Sequence, residues 1–237
     1  MKTIYHQANT RGHANHGWLN SYHTFSFAGY SHPERIHFGA LRVLNDDTVA
    51  GGMGFGKHPH DNREIVSIPI EGDLEHQDST GRHAIIKQGD VQIMSAGSGI
   101  AHSEKNANSH QPVKFLQIWV FPKEQNIAPR YDQKSFPINQ RINQITTVVA
   151  PDNEQAVWIN QDAWFSLANL TKGFATEYTI QRPQNGVYAF VIKGSVTING
   201  IQLAERDGLG ISETEHLQIA ATNDTELLLI DVPMHLN

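Results

Sequence analysis

The chain has 237 residues and a formal net charge of −6; 39% of its residues are hydrophobic and 18% are charged. That length allows one large domain or two small ones, and the composition is that of a globular protein. No Lys/Arg run supports direct nucleic-acid binding, and no apolar run approaches the roughly 18 residues of a membrane span, so we predict neither partner. Cysteine is absent, which excludes disulfides and thiolate ligands and leaves nitrogen and oxygen as metal ligands. The first residues lack an apolar signal-peptide segment, so we expect a cytoplasmic protein.

Short alternating or apolar runs dominate the chain, and Gly, Asp, Asn and Pro interrupt them. In chain order the predicted strands include EIVSIPI, HAIIK, DVQIMS, VKFLQIWVF, GVYAFVIKG, SVTING and ELLLIDV, which are rich in β-branched and aromatic residues. Turn signals such as EGD, QGD and NG recur between them. This pattern predicts an all-β fold of the sandwich or barrel type. The segment 161–173, QDAWFSLANLTKG, fits either a strand or a short helix and is left unassigned.

A weak internal repeat divides the chain. The run IPIEGDLEHQDSTGRHAIIKQGDVQIMSAGSG aligns with FVIKGSVTINGIQLAERDGLGISETE, since both follow the order strand, Gly turn, strand, loop, turn, strand. Between them, residues 121–144 are polar and contain three prolines, which predicts a connector on the surface. We therefore predict two domains, residues 1–130 and residues 131–237.

Two pairs of potential metal ligands stand out: His58 and His60 in HPH, and His102 and Glu104 in HSE. In a strand, residues i and i+2 point to the same side, and Pro59 stiffens the first pair. Two such strands can enclose an ion with three nitrogens and one carboxylate oxygen. Fe(II), Mn, Co, Ni, Cu and Zn all suit these ligands, so ligand type does not choose among them. For an isolated H-x-H, an accidental exposed pair is the alternative interpretation.

Other residues near these pairs have structural interpretations. Glu64 follows HPH and could face the pocket by strand alternation, so we predict that it lies beside the ligands or makes a structural hydrogen bond, rather than acting in catalysis. No Gly-x-Ser-x-Gly elbow supports nucleophilic catalysis, and GFG before HPH lacks the Lys–Ser/Thr ending of a phosphate loop. We expect packing or hydrogen bonding from His13, His16, His23 and His76, and core or pocket-wall positions for Phe55 and Trp119.

The motifs around these ligand pairs carry a family resemblance. The run from Gly52 to Glu64 resembles the first cupin motif, and the run from Gly89 to Asn106 resembles a modified second one, with Ser95 in place of proline. More closely, HPH, EGDLEHQDSTG, GDVQIMSAGSGIAHSE and the early HGWLNSYHTFSF are similar to pirins, a family with two cupin domains. The similarity covers most of residues 1–130 and is weaker beyond. Bacterial pirins with quercetin 2,3-dioxygenase activity look particularly similar.

The resemblance implies two jelly-roll cupin barrels, with one divalent transition metal in the first. It implies that His58, His60, His102 and Glu104 bind that metal, with Fe(II) as the expected ion. The second repeat has no H-x-H, so the second domain is expected to lack metal and to support the first. In many other cupins the glutamate after H-x-H is a ligand, and Glu64 holds that place here.

The resemblance also implies an activity, the opening of flavonols such as quercetin by O2, with a depside and carbon monoxide as products. Glu104 is then the candidate base that takes the proton of the flavonol hydroxyl. An alternative of a different class is a pirin-type redox switch, in which the same ligands control association with a protein partner. A third is incidental quercetin turnover by a metal-binding cupin, because flavonols chelate metals. The sequence leaves the choice among these open, along with the native metal and the oligomeric state.

Overall fold

The computed structural model describes residues 1–236, which form β-strands almost throughout. The strands of the first half are β1 Lys2–His6, β2 Gly12–Asn15, β3 Leu19–His23, β4 Leu41–Val49, β5 Gly54–His60, β6 Glu64–Glu71, β7 Leu74–Asp78, β8 His83–Ile86, β9 Asp90–Ser95, β10 Ile100–Asn106 and β11 Val113–Val120. Those of the second half are β12 Arg130–Ser135, β13 Thr146–Ala150, β14 Val157–Trp158, β15 Trp164–Leu170, β16 Ala175–Thr179, β17 Asn185–Lys193, β18 Val196–Ile198, β19 Ile201–Leu203, β20 Gly208–Ser212, β21 His216–Ala221 and β22 Thr225–Pro233. Within the described residues, the helical segments are two 3-10 turns, Ala8–Thr10 and Ile138–Gln140, and none is long or apolar enough to span a membrane.

The first barrel is made of two antiparallel sheets. The larger has the strand order β12-β9-β6-β11-β4-β3-β2, and the smaller has the order β5-β10-β7-β8. Alternate residues of β11 point into this barrel. Phe115 belongs to one apolar cluster inside it and Trp119 packs against another, while the polar Gln117 lies between them along the strand. The barrel interior therefore has a polar layer between two apolar ends.

The second barrel repeats this topology. Its larger sheet has the order β1-β20-β17-β22-β15-β13-β14, and its smaller sheet has the order β16-β21-β18-β19. The β18–β19 hairpin closes through Asn199 and Gly200, whose φ angles of 48° and 83° match the two-residue turn that an NG pair favours. Its interior is one continuous apolar cluster, which includes Val187, Leu217 and Leu229.

The two large sheets pack against each other and form the largest core of the molecule. Val66 and Ile118 of the first sheet meet residues such as Phe165, Phe190 and Ile230 of the second in one apolar cluster. Each large sheet is thus covered on both faces, by the other sheet and by its own barrel interior. Strands buried on both faces show continuous apolar runs instead of alternation, as in EIVSIPI of β6.

Each large sheet is completed by a strand from outside its own half of the sequence. β1 pairs with β20 of the second barrel, and β12 pairs with β9 of the first. The prediction that residues 121–144 form only a surface connector is therefore wrong for Arg130–Ser135, a polar edge strand whose composition resembles that of a loop. The division into 1–130 and 131–237 stays a prediction. We propose to refine it to a boundary after Ser135, with Lys2–His6 assigned to the second domain.

The predicted all-β fold of two barrels is confirmed. Trp164–Leu170, within the segment left unassigned, is strand β15 in the large sheet of the second barrel. Its composition is ambiguous because it is buried along nearly its whole length, and short buried apolar runs fit a strand or a helix equally.

Candidate metal centre

The two predicted ligand pairs lie on neighbouring antiparallel strands of the small sheet in the first barrel. β5 carries His58 and His60, β10 carries His102 and Glu104, and His58 is directly opposite His102. The pairing register shifts between His102 and Glu104. The strand pairing thus places the two predicted pairs next to each other.

Three histidines form a compact cluster. The ring centroids of His58, His60 and His102 are 4.5–5.0 Å apart, and one ring nitrogen of each lies within 4.8 Å of the others. The Nδ1–H of His58 donates to the carbonyl of Gly56 at 2.8 Å. That hydrogen bond fixes the tautomer and leaves the Nε2 lone pair available, which is the form of imidazole that binds metals.

His102 is buried, and neither of its ring nitrogens has a hydrogen-bond partner. A buried polar atom without a partner costs about 1–3 kcal/mol, and folded proteins rarely leave two on one side chain. Burial lowers the pKa of His102 to about 2 and that of His60 to about 4, with the neighbouring histidines adding to both shifts. Both rings are therefore neutral at physiological pH. Neutral imidazoles packed together, with no hydrogen-bond partner for either nitrogen of His102, fit a bound divalent transition metal.

Glu104 lies deeper in the barrel. Its Oε1 accepts a hydrogen bond from the Ser67 hydroxyl at 3.0 Å, and its Oε2 accepts one from the Gln117 side-chain amide. Burial raises the pKa of this carboxyl, although His76 and the two hydrogen bonds favour its ionised form. A carboxylate oxygen of Glu104 lies within 4.8 Å of ring nitrogens of both His102 and His76. Glu104 thus shares His102 with the three-histidine cluster.

The hydrogen bonds of Glu64 lie away from this site. Glu64 is buried on the opposite face of β6, where its Oε2 accepts hydrogen bonds from the Ser95 hydroxyl at 2.7 Å and the Asn160 amide at 3.1 Å. Asn160 belongs to the second half of the chain. Glu64 is therefore an interface residue, whereas Ser67, three residues further along the strand, faces the barrel interior and hydrogen-bonds Glu104.

His76 has a larger role than its sequence position suggests. It is completely buried and stands directly opposite Glu104 in the pairing of β7 with β10. Its ring centroid lies 5.3 Å from that of His102. The strand alternation of LEHQD signals only that His76 shares a face with Leu74. The register that brings it to Glu104 depends on a distant strand.

The remaining residues singled out in the sequence take structural places. His13 stacks on Tyr22 with a centroid distance of 4.6 Å, and His23 packs edge-on against Phe27 at 5.2 Å. Phe55 packs against Trp18 at one end of the barrel interior. At the other end, the ring centroids of Trp119 and His60 are 5.0 Å apart and the two rings are nearly perpendicular. Trp119 therefore forms a wall beside the histidine cluster.

A cavity of about 560 Å³ opens at this end of the barrel. Its volume falls within the range of small-molecule sites, and His60 and Trp119 both contribute to its lining. The other lining residues are Pro59, Asp61, Arg63, Ser79, Ser98, Gly99, Ile100 and Ala101. A molecule in the cavity would contact His60 of the histidine cluster beside the ring of Trp119.

Comparison with known proteins agrees with this geometry. The pirin family matches residues 5–120, and the quercetinase C-terminal cupin domain matches residues 147–232. A quercetin 2,3-dioxygenase of Escherichia coli K12 is 44% identical over 228 residues, which cover 96% of this chain and 97% of the relative. A pirin-like protein of Caulobacter vibrioides is 40% identical and covers 93% of this chain and 95% of its own.

Solved structures show the same likeness. The crystal structure of the E. coli bacterial pirin YhhW in complex with nickel(II) is 42% identical, has a TM-score of 0.93 and covers 98% of this chain and 99% of its own. A quercetin 2,3-dioxygenase of Acinetobacter baumannii, at 21% identity, has a TM-score of 0.77 over 97% of this chain and 85% of its own, and it shares the fold.

The fold and the site together define a two-barrel cupin protein whose first barrel holds a candidate centre for a divalent metal. The chain belongs to the pirin family.

Proposed function

We propose that His58, His60, His102 and Glu104 hold one divalent transition metal in the first barrel. The unpartnered ring nitrogens of buried His102 carry this assignment. Three neutral imidazoles and one carboxylate form a donor set that suits Fe(II), Mn, Co, Ni, Cu and Zn. The nickel(II) complex of YhhW supports a divalent metal, and the prediction of Fe(II) for this chain remains to be tested.

We further propose that the protein is a dioxygenase that opens flavonols such as quercetin with O2. The names of its relatives support this activity, and so does the aromatic-walled cavity beside the histidine cluster. When bound, a divalent metal supplies Lewis acidity that favours the deprotonated form of a coordinated hydroxyl. A larger cavity of about 990 Å³ is lined mainly by residues of the second barrel and by β1, and none of the proposed ligands lines it.

Different residues of this chain then have different roles in the proposed reaction. Trp119 offers its ring as a wall for a flat aromatic substrate, and Arg63 and Asp61 at the cavity edge offer polar contacts to phenolic hydroxyls. Glu104 takes the proton of the flavonol hydroxyl at a carboxylate oxygen, because burial makes this carboxyl more basic than usual. Ser67 and Gln117 orient that carboxylate through their hydrogen bonds.

Oxygen uptake tests this function. The apo protein is reloaded separately with Fe(II), Mn, Co, Ni, Cu and Zn, mixed with quercetin, and followed for O2 consumption and carbon monoxide release. We expect metal-dependent turnover that is lost in His58→Ala and retained in His83→Ala, because His83 is an exposed histidine on β8 outside the cluster.

No uptake with any metal, despite stoichiometric binding, would overturn the dioxygenase proposal and leave the ligand assignment standing. The redox-switch alternative would then be tested by the effect of metal oxidation state on association with protein partners.

A further inference from the structure

A buried histidine–carboxylate pair lies directly behind the proposed metal ligands. The Nε2 of His76 lies 3.0 Å from Oδ2 of Asp78, and both side chains are completely buried. Neither residue belongs to the proposed ligand set. The pair stands on the HQDST segment that ends β7 and begins the turn to β8.

Asp78 is held firmly in its own right. Its Oδ1 accepts hydrogen bonds from the Thr80 amide at 2.8 Å, the Thr80 hydroxyl at 2.6 Å and the Arg82 amide at 3.3 Å. The carboxylate is therefore fixed as an acceptor, and the hydrogen between Asp78 and His76 belongs to Nε2 of the ring. The other ring nitrogen, Nδ1, is buried and has no hydrogen-bond partner.

The His76 ring also lies next to two of the proposed ligands. A ring nitrogen of His76 lies within 4.8 Å of both a nitrogen of His102 and a carboxylate oxygen of Glu104. His76 is also the residue paired with Glu104 across β7 and β10. On another side, the ring of Tyr131 packs against His76 with a centroid distance of 4.9 Å. Asp78 and Tyr131 together leave the His76 ring little room to rotate or retreat.

We propose that His76, held by Asp78 and Tyr131, is a positioning residue of the metal centre. It fixes the ring of His102 and the carboxylate of Glu104 in the arrangement that binds the ion. The inference rests on the ligand set proposed above. Outer partners of metal ligands orient those ligands, and their loss typically weakens metal binding by about 10–100-fold.

The same hairpin provides a matched control. His83 on β8 also faces a carboxylate, with its Nε2 2.9 Å from Oε1 of Glu75, but this pair is on the surface, with side chains 56% and 29% exposed. His83→Gln and Glu75→Gln therefore remove a histidine–carboxylate pair without touching the metal centre. His76→Gln and Asp78→Asn make the equivalent changes in the buried pair.

The test measures metal binding on the full-length chain, independently of turnover. Nickel(II) affinity is determined by titration calorimetry, and the visible absorption bands of the cobalt(II)-loaded protein report the ligand arrangement. We expect His76→Gln and Asp78→Asn to bind nickel(II) about 10–100-fold more weakly and to shift the cobalt(II) bands. Both control variants should match the wild type in affinity and spectrum.

A third variant covers the case in which the buried changes prevent folding. Tyr131→Leu lies on the edge strand β12 and removes the ring behind His76 without changing the buried pair. It should weaken nickel(II) binding by a few-fold and move the cobalt(II) bands in the same direction.

Wild-type affinity and an unchanged cobalt(II) spectrum in the folded variants would overturn the positioning role, since a packing role alone would not link these residues to the ion. If the wild-type chain itself bound no metal, the ligand set would fail and the inference with it.

Discussion

The two barrels of this protein share one strand topology but have opposite interiors. In the first, the inward residues of β10 include His102 and Glu104, which are buried among polar side chains. In the second, the equivalent strand β21 places Leu217 and Ile219 in a continuous apolar cluster. The large sheets differ in the same way: Gln117 of β11 pairs with Ser67 on β6, whereas Leu229 of β22 pairs with Ala189 on β17.

The second barrel does contain a buried acid, and its surroundings explain why it does not indicate a metal site. Asp231 accepts hydrogen bonds from the Tyr178 hydroxyl at 3.1 Å, the Gln181 amide at 2.8 Å and the Asn185 side-chain amide at 2.7 Å. His102 in the first barrel has no partner on either nitrogen. A buried polar side chain alone therefore does not identify a metal site. The candidate centre is marked by three clustered histidines, of which buried His102 has two ring nitrogens without partners that a bound ion would satisfy.

The largest expected effect comes from replacing His102 of the first barrel with leucine, the residue type found on the equivalent strand of the second barrel. His102→Leu copies Leu217, so it should abolish stoichiometric nickel(II) binding and all metal-dependent turnover. It should also stabilise the apo protein by about 1–3 kcal/mol, because two unpartnered nitrogens are removed from the interior. Metal analysis and thermal unfolding check both outcomes.

The reverse change, Leu217→His, is the control for His102→Leu. It should destabilise the protein and add no second metal, since Leu217 pairs with Tyr178 on β16 and the acid of that strand, Glu177, is exposed. Full metal occupancy in His102→Leu would contradict the proposed site.

The Glu104→Gln variant distinguishes the two proposed roles of Glu104, as a metal ligand and as the base that accepts the substrate proton. The amide keeps the size of the side chain but cannot accept a proton from substrate, so we expect turnover to fall by about 100-fold or more while the fold is retained. Metal content, measured on the same sample, shows how much of the loss reflects weaker binding. Glu75→Gln, an exposed change in the same barrel, is the control. Unchanged turnover would exclude Glu104 as the base.

The increase in the free energy of unfolding on metal binding tests whether the ion binds in the first barrel. Nickel(II) at about 100 times its dissociation constant should raise the free energy of unfolding by about 2.7 kcal/mol, because the ion binds only the folded chain. Denaturant unfolding with and without nickel(II) measures this. The gain should disappear in His102→Leu. A gain that survives there would place the bound ion outside the first barrel's histidine cluster.

The smallest effect concerns the interface between the barrels. Burial raises the pKa of Glu64 from 4.5 to about 7, although its hydrogen bonds from Ser95 and Asn160 oppose the shift. Between pH 4.5 and about pH 7, Glu64 is therefore mostly protonated in the folded chain and mostly ionised in the unfolded chain. The stability contributed by this group is full below pH 4.5 and declines until about pH 7.

Glu64→Gln, which keeps an oxygen acceptor, should thus match the wild type near the acidic end of this range. At pH 8 it should be more stable by on the order of 3 kcal/mol. Thermal unfolding across pH checks this, with the exposed Glu71→Gln of the same strand as control. Metal content should not change. A stability difference independent of pH, or a loss of metal, would contradict the interface role.

Local patterns in the sequence predict a large part of this molecule. Alternation in HPH and HSE places four potential ligands on two strands, and turn signals with short apolar runs predict the two-barrel fold. These features are local, because residues two apart in a strand always share a face. The register that sets His58 opposite His102 requires the structure.

Glu64, β12 and His76 show why other features could not be predicted. The direction of Glu64 is ambiguous because β6 is buried on both faces, so alternation does not reveal which side faces the pocket. Arg130–Ser135 has the polar composition of a loop but pairs as an edge strand. The place of His76 beside Glu104 depends on pairing between strands that are distant in sequence.

Anomalous diffraction from crystals of the nickel(II)-loaded protein tests the central claim most directly. Data on either side of the nickel absorption edge locate the ion without reference to activity. The account predicts one strong peak in the first barrel, in contact with His58, His60, His102 and Glu104, and none in the second barrel. A peak in the second barrel, or an ion that contacts neither His102 nor Glu104, would contradict it.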